Sequence, residues 1–164
     1  MRLFLLGLAI GLCLLVLFFS LGIGGRTGQP ISFNHKRHQE QGIECLTCHP
    51  HYKDQTFSGM PTLSTCLECH KDPLTQSTEE EKIRQFEKRG QEIPWRRLYG
   101  QPDHVFFSHR RHVTLGKLEC QQCHGNIGQS DEPPDRPWVR MTMRWCMDCH
   151  TAKKVTNDCL VCHV

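Results

Sequence analysis

Apolar positions are concentrated at one end of the chain. From Leu3 to Ile23 they run for about twenty residues, the length a helix needs to cross the hydrocarbon core of a bilayer. This pattern predicts one transmembrane helix, with an anchor over residues 1–26. A cleaved export signal is the competing reading, but Phe18-Phe19-Ser20-Leu21-Gly22-Ile23-Gly24 offers no small-x-small cleavage site. Beyond the run, strong hydrophobes are sparse and sustained periodicity disappears. Ser77-Thr78-Glu79-Glu80-Glu81 reads as a helix start, acids fill the first turn, and Gly90 is a natural stop, which predicts a short exposed helix from about Thr78 to Arg89. Its charges read as a solvated face. Ile93-Pro94-Trp95 and Gln101-Pro102-Asp103 read as extended chain, because residues before proline are pushed out of helical geometry. The stretch Gly125 to Pro137 has no apolar period and reads as a loop, serving either as a connector or as a docking surface. The fold class expected is mostly irregular with short α-helices. So few apolar side chains cannot fill a core, and small domains of this kind need a metal, disulfide or cofactor staple.

The cysteines identify the staple. Ten of the eleven fall into five Cys-x-x-Cys pairs, each followed at once by histidine: Cys45/Cys48/His49, Cys66/Cys69/His70, Cys120/Cys123/His124, Cys146/Cys149/His150 and Cys159/Cys162/His163. This is the attachment signature of c-type haem. Zinc ribbons also use paired cysteines, but they give no reason for a histidine after every pair. Haem attachment does, because two thiols bond the vinyl groups and the adjacent imidazole coordinates iron. Five covalently attached haem c groups, and a haem-filled core, are therefore expected. Attachment requires reduced thiols in an exported chain, which puts the haem-bearing part on the periplasmic side of a bacterial cytoplasmic membrane, held by the amino-terminal anchor.

An internal repeat surrounds these motifs. Phe33-Asn34-His35-Lys36-Arg37-His38 precedes the first motif by six residues, and Phe107-Ser108-His109-Arg110-Arg111-His112 precedes the third by seven. We divide the chain into the anchor at 1–26, a two-haem module at 27–76, a linker at 77–103 and a three-haem module at 104–164. Five irons need up to five further axial ligands, and six histidines remain: His35, His38, His51, His104, His109 and His112. In each block the two imidazoles are one helical turn apart and project toward two different irons. His51 and His104 lack a counterpart in the other module and are less well placed. Met143, just before the fourth motif, is the remaining candidate, methionine being an established haem ligand.

The Phe-x-His-x-x-His blocks and the three-haem half from His109 to His163 resemble cytochrome c7 and the wider cytochrome c3 family. A longer string is similar to the pentahaem cytochrome subunit of alternative complex III, a bacterial quinol-oxidising membrane assembly. That string comprises Gln29 to His35, Gly59-Met60-Pro61, Thr65 to His70, Pro94-Trp95, Pro102-Asp103, Phe106 to His112, and Met143-Arg144-Trp145-Cys146. The resemblance to c7 pairs His35 with His49, His38 with His70, His109 with His124 and His112 with His150. It gives the haem of His163 a ligand from the segment before the fourth motif, where this chain offers Met143 or, less well placed, Met141.

The formal charge of +3 is offset by about ten propionates on five haems, for which Lys36, Arg37, Arg110, Arg111 and Arg144 are candidate partners. A nucleic-acid partner is not expected. The dense packing of redox centres implies electron transfer rather than catalysis. The resemblance implies a quinol-oxidising complex as partner: an iron–sulfur or molybdopterin-type subunit, a quinone-binding membrane subunit, a downstream cytochrome c or oxidase, and membrane lipid. A free-standing tethered carrier and a multihaem reductase are the alternatives.

Overall fold

Very short helices are marginal in water and need caps, packing or ligands to persist, and this chain supplies caps at most of them. The structure is a computed structural model and describes residues 28–163 together with Gly7 and Gly11. The expected anchor therefore lies outside the described residues, and among those described no helix is long and apolar enough to cross a membrane. In chain order we number α1 (His35–Glu40), α2 (Cys45–Cys48), α3 (Leu63–His70) and α4 (Thr78–Lys88), then a π-helical turn (Arg110–Leu115), α5 (Gln121–His124), a 3-10 turn (Ile127–Gln129), α6 (Met143–Ala152) and α7 (Cys159–Cys162). The rest is irregular, with one isolated antiparallel bridge between Val105 and His163. Side chains of Asn34, Thr62, Ser77, Thr142 and Asp158 accept backbone amides at the starts of α1, α3, α4, α6 and α7, each such cap contributing about 1 kcal/mol.

The π-helical turn has a cause visible in the sequence. The second Phe-x-His-x-x-His block stands one residue farther from its motif than the first. In the first block Ile43 N–H donates to His38 O, five residues back; in the second, Leu118 N–H donates to His112 O, six back. Gly42 (φ +75°) and Lys117 (φ +53°) occupy the equivalent left-handed position. The extra residue is absorbed between them by widening the helix, the usual origin of a π-turn.

Side chains build only a small apolar core: Ile31, Leu63, Ile83 and Ile93 are buried, with Cys66, Leu67, Phe86 and Trp95 packed against them. It lies where α4 rests on α3. This corrects one expectation. The helix at Thr78–Lys88 is not a solvated linker but a wall of the second motif, with Glu80 and Ile83 both turned inward. Burial alone would raise the Glu80 carboxyl. Hydrogen bonds from the Thr75 hydroxyl and the Leu74 and Thr75 amides, with the His70 ring beside it, instead hold it down to about 2. Around this core, Glu92 accepts the Leu63 amide at 2.8 Å, Trp95 Nε1 donates to Pro61 O at 2.9 Å, and Ser32 N–H donates to Glu79 at 2.6 Å.

Two seams join the halves. His109 and Arg110 amides donate to Thr56 O and Gln55 O at 2.9 and 3.1 Å, and Thr114 Oγ1 donates to Lys53 O at 2.7 Å. On the other side the 3-10 turn packs on α1, where Lys36 N–H donates to Ser130 O at 3.1 Å. Of the two readings of the 125–137 loop, the structure thus favours connector. Its first residue, Gly125, has φ +63°, and a Cβ there would lie 2.5 Å from the Trp138 ring. Gly125→Ala combines a disfavoured backbone with a clash against an aromatic ring. It is expected to destabilise by more than about 1 kcal/mol, measured as a lowered urea midpoint by far-ultraviolet circular dichroism.

Candidate haem-binding sites

In each motif the first cysteine, the second cysteine and the histidine stand at i, i+3 and i+4. One helical turn brings such positions to the same face, and α2, α3, α5, α6 and α7 supply that turn. All five motifs therefore present two thiols and an imidazole together.

A second imidazole stands opposite most of them. Ring centroids are 6.0 Å apart for His38 and His70, 6.4 Å for His109 and His124, 6.2 Å for His112 and His150, and 5.7 Å for His104 and His163. Two metal–nitrogen bonds of about 2.0 Å plus the ring radii give about 6.3 Å for an iron held between two imidazoles. The spacing fits. His35 lies within the electrostatic reach of His49: burial, then His49 and His38, push its imidazole down to about 4, which keeps the ring neutral as a ligand must be.

The donor set fits as well. Nδ1 of His38, His49, His109, His112 and His150 lies 2.7 to 3.0 Å from a backbone carbonyl, that of Asn34, Gly59, Thr56, Ser108 and Thr156 respectively. His163 Nδ1 lies 3.3 Å from His104 O. Such bonds place the proton on Nδ1 and leave the Nε2 lone pair for a metal. The repeated blocks agree in detail. Phe33 stacks on His38 at 4.3 Å and meets His35 edge-on at 4.7 Å; Phe107 stacks on His112 at 4.7 Å and meets His109 edge-on at 5.0 Å. Each block phenylalanine is thus a wedge that orients two imidazoles.

At the fifth motif the structure departs from expectation. His104, not Met143, stands opposite His163. The Val105–His163 bridge and the Phe106 N–H to Cys162 O bond at 2.8 Å clamp this segment on the motif and set the His104 ring over its partner at 20°. Met143 is 65% exposed at the start of α6, in the segment that leads into the fourth motif. Met141 Sδ accepts from Gln101 Nε2 at 3.7 Å. His51 accepts from Gln55 and meets Phe57 edge-on at 6.0 Å.

The five sites form a sequence in space that differs from their order in the chain. Each block ties two neighbours, the first and second motifs through α1, the third and fourth through the π-turn. Burial pushes the thiols of Cys48, Cys66, Cys120, Cys123 and Cys146 up, Cys66 to about 11, and the neighbours that add to it show which motifs adjoin. Cys48 feels Cys69, Cys120 feels Cys45, Cys123 feels Cys149 and Cys146, and Cys146 feels Cys162. These neighbours join the second motif to the first, the first to the third, the third to the fourth and the fourth to the fifth.

Comparison with known proteins agrees with this geometry. Residues 22–94 match the class III cytochrome c family, and residues 105–164 match cytochrome c7 and related cytochrome c. The chain belongs to the multihaem cytochrome c family, whose members transfer electrons and carry covalently bound haem c. A relative in Nitratidesulfovibrio vulgaris (strain Hildenborough), the menaquinone reductase multiheme cytochrome c subunit, is 36% identical over 160 residues, covering 82% of this chain and 76% of its own length.

Proposed function

We propose that this chain holds five haem c groups and relays electrons along them as the cytochrome subunit of a membrane complex linked to the quinone pool. The observation that carries the reading is the set of opposed imidazoles at adjoining motifs. Haem iron held between two imidazoles alternates between ferric and ferrous and so carries one electron at a time. The chain's own contribution is attachment through ten cysteines, closure of each iron by two side chains, and fixed ring orientation through the backbone carbonyls and the block phenylalanines. The ligand pairs are His35/His49, His38/His70, His109/His124, His112/His150 and His104/His163. Closed sites leave no coordination position for a substrate, which favours a relay over a reductase.

The 36% identical relative supports a complex of the menaquinone-reducing type. The string from Gln29 to Cys146 that resembles the alternative complex III subunit favours a second reading, quinol oxidation, with electrons leaving toward a cytochrome c or oxidase. In either complex the partners are an iron–sulfur or molybdopterin-type subunit and a quinone-binding membrane subunit. The haem-bearing part lies on the outer side of the cytoplasmic membrane, anchored by residues 1–26, and the chain divides into a two-haem part and a three-haem part.

The test is purification in detergent from native membranes. The expected outcome is five haems per chain by pyridine haemochrome and intact mass, in a complex with both partner subunits. Fewer than five haems, or a monomer released without detergent, sinks the proposal. Stopped-flow mixing separates the directions: a menaquinone analogue oxidising the reduced haems supports the first reading, and a menaquinol analogue reducing the oxidised haems supports the second.

A further inference from the structure

The second motif differs from three others in what stands behind its histidine. At the first, fourth and fifth motifs, Nδ1 of the motif histidine faces a backbone carbonyl. At the second, His70 Nδ1 lies 3.2 Å from the Glu80 carboxylate. Glu80 is only 7% exposed. The loop after His70 folds over it: Leu74 N–H donates to Oε1 at 2.7 Å, Thr75 N–H to Oε2 at 2.8 Å, the Thr75 hydroxyl also to Oε2, and Arg84 Nη1 to Oε1 at 3.3 Å. Four donors hold the group in place and favour its ionised form. Nδ1 itself makes no hydrogen bond. What reaches the ring is chiefly the field of a buried negative charge.

Arg84 does not cancel that field. Its Nε and Nη2 donate to Glu81 Oε2 at 2.9 and 2.6 Å, so its charge is shared between two carboxylates, while the exposed Lys88 Nζ stands 3.9 Å from Glu81 Oε1. The Glu80 carboxylate, 3.2 Å from His70 Nδ1, is the charge that reaches the ring most directly, inside a wall where water screens it little. Negative charge behind a ligating imidazole raises its basicity and favours the more positive, oxidised iron.

We infer that Glu80 is a positioning residue that lowers the reduction potential of the second haem, making this end of the spatial sequence one that electrons leave readily toward the first. The inference rests on the reading that the second motif carries haem between His38 and His70. Glu80 touches neither the iron nor an attachment cysteine in this arrangement; it acts through His70.

Redox potentiometry of the purified complex, followed by optical and EPR spectra, tests it. In Glu80→Gln, which keeps shape and removes charge, one midpoint is expected to rise by a tenfold change in the one-electron equilibrium, about 59 mV, with the others unmoved. One low-spin EPR signal is expected to shift with it. Glu80→Asp should return most of the change, a rescue that a purely structural role would not produce in a potential. Arg84→Gln should move the same midpoint the other way. Five attached haems with all midpoints unchanged in Glu80→Gln overturn the inference. If that variant fails to mature, Arg84→Gln decides, and the absence of a downward shift overturns it. A wild-type peptide spanning Cys66 and Cys69 that carries no haem would instead overturn the underlying relay reading, and the inference with it.

Discussion

His104→Ala is expected to convert one haem, that of the fifth motif, from six-coordinate low-spin to an open high-spin iron that binds carbon monoxide on reduction. With one haem on each of the five motifs, as proposed, about one fifth of the haem absorbance should respond, because one iron loses its distal ligand. Met143→Ala is the matched control and is expected to leave every haem low-spin. The asymmetry follows from position. His104 stacks over His163 at 5.7 Å, on a segment clamped by the Val105 bridge, whereas Met143 opens α6 and is largely exposed. If carbon monoxide binds the Met143 variant and spares the His104 variant, the fifth pair is misassigned and the sequence expectation is restored.

Ile83→Ala is expected to cost about 2–4 kcal/mol, the range for emptying a buried aliphatic site that relaxes only in part. The cost is large relative to the fold because so little else is buried. Ile83 is one of four buried hydrophobes among the described residues, and it joins α4 to α3. Urea unfolding of the haem-loaded chain, followed by far-ultraviolet circular dichroism, measures it. Leu160→Ala, at an exposed position within the fifth motif, is expected to change stability by less than about 0.5 kcal/mol. A loss below about 1 kcal/mol in Ile83→Ala would mean that haem contacts rather than this core hold α4 in place.

What the sequence made legible was local. Two thiols and a histidine within five residues, and two histidines one turn apart, are read directly from spacing because a single helical turn converts spacing into a shared face. The one-residue offset between the blocks was equally visible, and it reappears as the π-turn. The partner of His163 was not legible in this way. It arrives from 59 residues upstream through a backbone bridge, and no local period records such a pairing. Adjacency in the chain pointed instead to Met143, which neighbours the fourth motif and not the fifth. The usable signal was arithmetic: six spare histidines for five irons left no need for a thioether. Glu80 was hidden for a different reason. Three acids in a first turn look like dipole complements on a solvated face. The clue was phase: Glu80 stands three residues before Ile83, so a helix that buries one buries the other.

The spatial order of the sites makes the five motifs unequal in a way that their uniform sequence conceals. A linear arrangement has two ends and three interior links, as in a series circuit. In the proposed relay the second and fifth sites are the terminals, so losing either shortens the path and leaves the rest continuous. The first, third and fourth are interior, and losing any one divides it. The junction between the two halves falls where Cys45 meets Cys120 and where Thr56 holds His109. The motif nearest the amino terminus is therefore the one on which continuity between the halves depends.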